Sequence, residues 1–292
     1  MATVRLVPTV RRRRLGGALR RLRNQAGASI EAASEAMGWD PSKLSRIENA
    51  KAHLPVKDVA PLLAQYGVTD ADVIKALEGL AQDANKTGWW TTYGNVVADG
   101  YKDYIGLEED AESTHIYVQG LIPGLLQTGA YAREIIAGTG PHLGPADVAA
   151  LAEVRKKRQA ILTDSTRPTG PLKLWAVIHE TALGYRSAAQ PTLMREQLRH
   201  LLDMTDLPNL TLQIMPKDAP AHPGMAGPFH VVRFPMPWPT VISLENLRGG
   251  YFVEGTDDVK AFESCFELIV AAALPVDDSR EAIKKIMEGI SR

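Results

Sequence analysis

One cysteine, Cys265, stands in 292 residues. A single thiol rules out an intramolecular disulfide and any cysteine-rich metal site, and free cysteines are usually core residues. Its neighbours Phe262, Phe266 and Ile269 fall on the same face of a helix, so a core or near-core place is expected. Long hydrophobic runs are also missing. The longest, Leu268 to Val276, is about half of what a membrane span needs. Nothing resembles a secretory signal, because the apolar run after the Arg cluster at 11–14 is too short. The protein is therefore expected in the cytoplasm, with no membrane partner. Enzyme signatures are lacking too. There is no His-Glu-x-x-His, no Gly-x-Ser-x-Gly, no phosphate-loop lysine and no dinucleotide fingerprint. Gly138-Thr-Gly-Pro-His-Leu-Gly144 has the wrong spacing for a phosphate cradle. His179-Glu180 at a strand end reads as structural, since successive strand residues face opposite sides. The loop His222 to Gly227 can clasp a small ligand only in the sense that Gly/Pro-rich loops can. No catalytic residue, cofactor or metal is assigned, and the expectation is a protein that is not an enzyme.

What is present is an uneven charge. The net charge is −1, yet residues 1–57 hold twelve Lys/Arg against Glu31, Glu35, Asp40 and Glu48, a local +8 that leaves −9 on the remainder. A basic head on an acidic body suits a chain that puts its head alone on a polyanion.

The head has the pattern of three short helices. Leu15, Leu19, Leu22 and Ala26 form one stripe, with Arg20, Arg21 and Arg23 mostly on the wet side. Gly27 is a left-handed stop, and Ser29 caps a second helix with Ile30, Ala33 and Met37 inward. Gly38 turns the chain, and Asp40-Pro41 starts a third helix by capping its free amides and fitting its first position. There Leu44 and Ile47 point inward, leaving Ser42, Lys43, Ser45, Arg46 and Asn49 outward. Small polar residues on an exposed helix beside arginines suit a DNA major groove, so the pattern is a helix-turn-helix. Two further helices close the core, one from Val56 to about Tyr66 with Val56, Val59, Leu63 and Tyr66 inward. The other is capped by Thr69 or Asp70 and carries Val73, Ile74, Leu77 and Leu80.

The string Asp40-Pro-Ser-Lys-Leu-Ser-Arg-Ile-Glu-Asn-Ala-Lys51 resembles the reading helix of the XRE, or phage-repressor-like, regulators, whose common form ends in Ser-Arg-Ile-Glu. The resemblance covers roughly Arg12 to Gln82 and implies a five-helix domain. Many relatives carry Gln just after the Ser or Thr that opens the second helix. Here that place is Ile30, which offers DNA no hydrogen bond.

The expected organisation is a flexible arm at 1–10, the helix-turn-helix domain at 11–82, a linker at 83–88 and a larger α+β regulatory domain at 89–292. In the last, Trp89, Trp90, Tyr93, Tyr101 and Tyr104 suggest core or interface packing rather than a ligand cage. Ile105 to Tyr117 is expected as a helix whose acidic face, Glu108-Glu109-Asp110-Glu112, is solvated. A helix from Pro145 to Leu162 carries Arg155, Lys156, Lys157 and Arg158. Strands are expected at Leu172–Ile178, Leu210–Met215, Phe229–Phe234 and Val241–Leu244. Helices are expected at Leu193–Met204, Val259–Ala273 and Ser279–Met287, the last capped by Ser279. Helices followed by mixed strands and helices indicate α+β.

Trp89-Trp90, Tyr104 to Glu108, Pro123-Gly-Leu-Leu-Gln-Thr128, Arg155-Lys-Lys-Arg-Gln159, His179-Glu-Thr-Ala-Leu183, Gln197-Leu198 and Glu245 resemble the body of the actinobacterial WhiJ-type regulators. That resemblance implies an antitoxin-like transcriptional regulator, often encoded beside a small partner protein. The expected function is sequence-specific binding of double-stranded DNA by a homodimer, because one reading helix covers too few base pairs. Ser42, Lys43, Ser45 and Arg46 face base edges, and Ser29, Asn49, Lys51 and the cluster Arg11, Arg12, Arg13 and Arg14 hold phosphates. The alternative keeps the DNA head but makes capture of a small partner protein the main task.

Overall fold

The computed structural model describes residues 10–83, 88–235, 238–246 and 249–290. Most of the arm at 1–10 and positions 84–87 of the expected linker lie outside these described residues. The chain divides into two compact units, Met1–Trp89 with Phe234–Pro239, and Trp90–Arg233 with Thr240–Arg292. A short segment from late in the sequence thus belongs with the head, an arrangement that hydrophobic periodicity does not reveal.

The first unit is helical: α1 Val10–Gln25, α2 Ile30–Ala36, α3 Pro41–Glu48, α4 Val56–Gln65 and α5 Ala71–Asp83. Gly27, Gly38 and Gly67 end three of these helices with φ of +66°, +64° and +70°, where a Cβ would be strained. Leu15, Leu19, Ala33, Leu44, Ile47, Val59, Leu62, Leu63 and Leu77 form one core. Two expected core residues lie outside it. Ala26 is exposed beyond the end of α1, and Val56 is exposed on the first turn of α4, where few neighbours cover a helix start. Asp70 is the cap of α5, accepting from the Asp72 and Val73 amides at 2.9 and 3.3 Å.

The second unit runs α6 Asp99–Asp110, β1 Ser113–Val118, α7 Gly129–Thr139, α8 Pro145–Gln159, β2 Lys173–His179, α9 Leu193–Met204 and β3 Leu210–Met215. It continues with β4 Phe229–Arg233, β5 Val241–Asn246, β6 Gly249–Val253, α10 Thr256–Ala272 and α11 Val276–Gly289. The strands form one mixed sheet in the order β3-β2-β1-β4-β5-β6. β1, β2 and β3 are parallel, so helical crossovers must join them, and the β1–β4, β4–β5 and β5–β6 pairs are antiparallel. Tyr117, Val177, Met215, Phe229, Val231 and Ile242 pack on Val259, Phe266 and Ile269 of α10, and Cys265 is partly buried at the edge of this cluster. The architecture is a helical head followed by a larger α+β domain.

Three local expectations are corrected. The stretch Ile105 to Tyr117 is not one helix: α6 stops at Asp110 and β1 begins at Ser113. Arg167 closes the end of α6, donating to the carbonyls of Glu109 at 2.9 Å and Ala111 at 2.7 Å. Nor is the acidic face wholly solvated. Glu108 is buried and takes both branches of the Arg158 guanidinium, at 2.7 and 2.8 Å, so that member of the basic cluster is buried too. Finally, α11 starts at Val276 rather than at Ser279. The Ser279 hydroxyl instead accepts from the Ile214 amide at 2.9 Å and donates to the Leu274 carbonyl at 3.2 Å, tying α11 to β3.

Candidate nucleic-acid interface

Local chemistry sets the geometry of α2 and α3. The Ser29 hydroxyl accepts from the Ala32 amide at 3.1 Å, and the Asp40 carboxylate accepts from the Ser42 amide at 2.8 Å. Hydrogen bonding from the Ser42 hydroxyl, and then from its amide, holds the Asp40 carboxyl below its usual range. Leu44 and Ile47 face the core, and Ser42, Arg46 and Asn49 are exposed, with Lys43 and Ser45 half-buried. Arg46 Nε donates to the Ser42 carbonyl at 3.3 Å, so its guanidinium lies along the outer face. Lys43 Nζ stands 3.8 Å above the Trp39 ring, a cation–π contact within the turn. Ala50, with φ of 58°, reverses the chain after α3, and Lys51 follows it exposed.

Contacts with α1 pin α3. Arg23 grips Glu48 with Nε at 2.7 Å and Nη2 at 3.0 Å, and gives Nη1 to the Ala28 carbonyl at 2.8 Å. Both partners are buried, so Arg23 leaves the wet face expected for it. The bond to Glu48 raises the guanidinium further above its ordinary range, against the effect of burial. Exposed Arg20 reaches Asn49 Oδ1 at 2.7 Å and the Glu48 carbonyl at 3.3 Å, and Asn49 Nδ2 donates to the Ser45 carbonyl at 2.8 Å. Asn49 is therefore held on the outer face as part of a braced Arg20–Asn49 unit. The sequence reading missed Arg20, Trp39 and Glu48. The available signal was an acid at 48 among the bases of a reading helix, which needs a cation at hand.

Gly16 makes the α1–α3 approach close. A Cβ there would stand 2.6 Å from the Glu48 carbonyl oxygen and 2.7 Å from that of Ile47. Helix propensity alone predicts that Gly16→Ala stabilises by about 1 kcal/mol. Overpacking against backbone costs about 1–3 kcal/mol, so the net expectation is destabilisation. Chemical denaturation decides it, and a more stable Gly16→Ala would remove the close approach.

The arginine cluster is corrected in part. Arg14 is buried at 1% exposure, its guanidinium 3.6 Å from the Phe234 ring centroid and 5.5 Å from that of Trp238, and is not placed to hold a phosphate. Arg11, Arg12 and Arg13 are half-buried on the first turns of α1.

In the second unit the Pro123 to Thr128 string is knitted from within. Gln197 gives Nε2 to the Leu126 carbonyl and accepts the Thr128 amide, both at 2.7 Å. Gln159 Nε2 donates to the Gln127 carbonyl at 2.6 Å, and Arg155 donates to Gln127 Oε1 at 2.7 Å. The motif is a structural hub. Glu180 binds Lys217 Nζ at 3.2 Å rather than His179, whose Nδ1 lies 2.8 Å from the Thr181 hydroxyl. Burial, and then nearby His179, lower the proton affinity of His222 in the loop at 222–227. Among the described residues no three His, Cys, Asp or Glu converge as metal ligands, and no helix is long and apolar enough to cross a membrane.

A capped two-helix unit with a polar outer face, on a basic five-helix head, defines a helix-turn-helix DNA-binding regulator of the XRE type. Residues 14–75 match the model of a helix-turn-helix domain. Residues 101–285 match that of DUF5753, a domain of unknown function, and over this greater part of its length the chain belongs to the DUF5753 family. No curated protein and no solved structure matches it.

Proposed function

We propose that the protein reads a specific DNA sequence with α3 as a homodimer in the cytoplasm, and that its α+β domain adjusts this binding in response to a partner protein or ligand. The observation that carries the reading is the outer face of α3. Ser42, Lys43, Ser45 and Arg46 lie on a helix fixed to α1 by a buried ion pair, within a +8 head. Arg46 or Lys43 supplies a guanine contact, and Lys51, Ser29 and Asn49 hold phosphates. Catalysis has no part in this reading.

The test is binding to the DNA upstream of its own coding sequence against random DNA, at low and high salt. Tighter upstream binding that persists at high salt supports sequence reading; equal binding that salt erases refutes it. Within that assay Arg46→Ala is expected to cost about 1–3 kcal/mol at one base position and relax specificity there. Lys51→Ala is expected to weaken all sequences alike and reduce the salt slope by about 1. Identical behaviour of the two variants on specific and random DNA would overturn these roles.

The antitoxin-like reading is supported by the resemblance to WhiJ-type bodies. Stoichiometric co-purification of a small protein would favour this reading.

A further inference from the structure

Strand order in the α+β domain dictates where the connection from β3 to β4 must run. The sheet reads β3-β2-β1-β4, with β1, β2 and β3 parallel and β4 antiparallel to β1. Residues 216–228 therefore leave β3 at the carboxyl ends of the parallel strands, cross the ends of β2 and β1, and enter β4 opposite Tyr117. The carboxyl ends of parallel strands are where open α/β sheets bind ligands. Contacts at both strand ends fasten the crossing. The Lys217 amide donates to Glu180 at the end of β2, at 3.2 Å, and Gln119, just past β1, gives Nε2 to the Gly224 carbonyl at 2.7 Å. Gly224 lies so close to Tyr117 that a Cβ would stand 2.5 Å from the ring.

This stitching brings two histidines together. The Gln119 carbonyl accepts the Thr181 hydroxyl at 2.7 Å, and that hydroxyl lies 2.8 Å from Nδ1 of His179, the last residue of β2. Nε2 of His179 has no hydrogen-bond partner among the described residues. On the crossing itself the His222 ring stands edge-on to Tyr117, centroids 5.8 Å apart, and its Nδ1 is buried, again without a partner among the described residues. Burial first, and then His179, lower the proton affinity of His222, so the two rings lie within electrostatic reach of each other. The acid beside them is already engaged: Glu180 also binds Lys217 Nζ at 3.2 Å.

We propose that His179 and His222 form a binding site for a small oxyanion, a carboxylate or phosphate group, held between the end of β2 and the crossing at 222–224. An unpartnered buried imidazole nitrogen is costly, and a bound oxygen removes that cost. Imidazole donates an N–H from one nitrogen when neutral and from both when protonated, and the charged bond is the stronger. Net charge favours no anion here, because the chain beyond the basic head is acidic, so the two rings must supply the attraction. Calling this anion the domain's signal rests on the function proposed above, whereas the binding does not.

The test titrates the full chain, without DNA, with inorganic phosphate and separately with acetate, against chloride at matched ionic strength. Histidine ring signals are followed by NMR. Saturable shifts of His179 and His222 are expected with at least one oxyanion and not with chloride, and the tighter of the two identifies a phosphoryl or a carboxylate ligand. His222→Ala and His179→Ala are each expected to weaken that binding by about tenfold or more, the loss of one charge-assisted bond. Met225→Ala, 62% exposed on the same crossing, should leave it unchanged. No saturation with either oxyanion overturns the proposal, and so does binding that survives both histidine substitutions. Should His222→Ala unfold the domain in chemical denaturation, His179→Ala carries the same two readings. Saturation in a chain that shows no preference for its upstream DNA would sink the DNA-reading function and leave the site standing; the reverse result would do the opposite.

Discussion

Arg23→Ala is expected to destabilise the head by about 3–5 kcal/mol, because it leaves the Glu48 carboxylate buried without its cation. Glu48 is 4% exposed and both its oxygens are held by Arg23, so no solvent shell replaces the lost partner. Arg20 Nε, 3.6 Å from Glu48 and itself 45% exposed, offers weak compensation. The loss should appear as a lower denaturation midpoint of the head, with binding to upstream and random DNA falling together, since α3 as a whole is released. Replacing both partners by methionine should recover most of the stability, because a well-packed apolar pair is often as good as a buried ion pair. A cost below about 1 kcal/mol for Arg23→Ala would show that the pair does not pin α3.

The second large effect belongs to the α+β domain. Glu108→Ala strips the buried Arg158 of its bidentate partner and is expected to cost about 3–5 kcal/mol. Arg158 would keep the Tyr101 hydroxyl at 2.5 Å, and the Tyr101 and Tyr104 rings, each 5.1 Å away. Aromatic faces and a neutral oxygen do not neutralise a guanidinium in a site that excludes water. The neighbouring carboxylate supplies the control. Glu112 binds Lys173 at 2.9 Å with both side chains exposed, so Glu112→Ala should cost less than about 1 kcal/mol. Equal midpoints for the two variants in chemical denaturation would refute the burial argument.

These two ion pairs mark where the sequence stopped being legible. A charge three or four residues from other charges reads as a solvated helix face, and Arg23, Glu108 and Arg158 all fit that pattern. Their partners lie 25 and 50 residues away, beyond any local period. Arg14 failed for the same reason, its aromatic partners being more than two hundred residues on. The expected helix from Ile105 to Tyr117 failed differently. Thr114, Ile116 and Val118 are β-branched and His115 and Tyr117 alternate with them, a strand pattern that the helix before it masked. β6 opens on Gly249 and Gly250, which shorten its strand signal to Tyr251, Phe252 and Val253, and pairing with β5 completes it.

What the sequence determined alone was whatever short-range chemistry decides. The Ser29 and Asp40 caps, the left-handed glycines at 27, 38 and 67, and the inward Leu44 and Ile47 all follow from bonds or sterics within a few residues. With the charge imbalance, they made the helix-turn-helix and its outer face readable before any fold was known. Tertiary structure alone decided which charges are buried, how α3 is held, and that a late hairpin segment joins the head. Each of those depends on desolvation, and whether a group loses its water is set by residues far away in the chain.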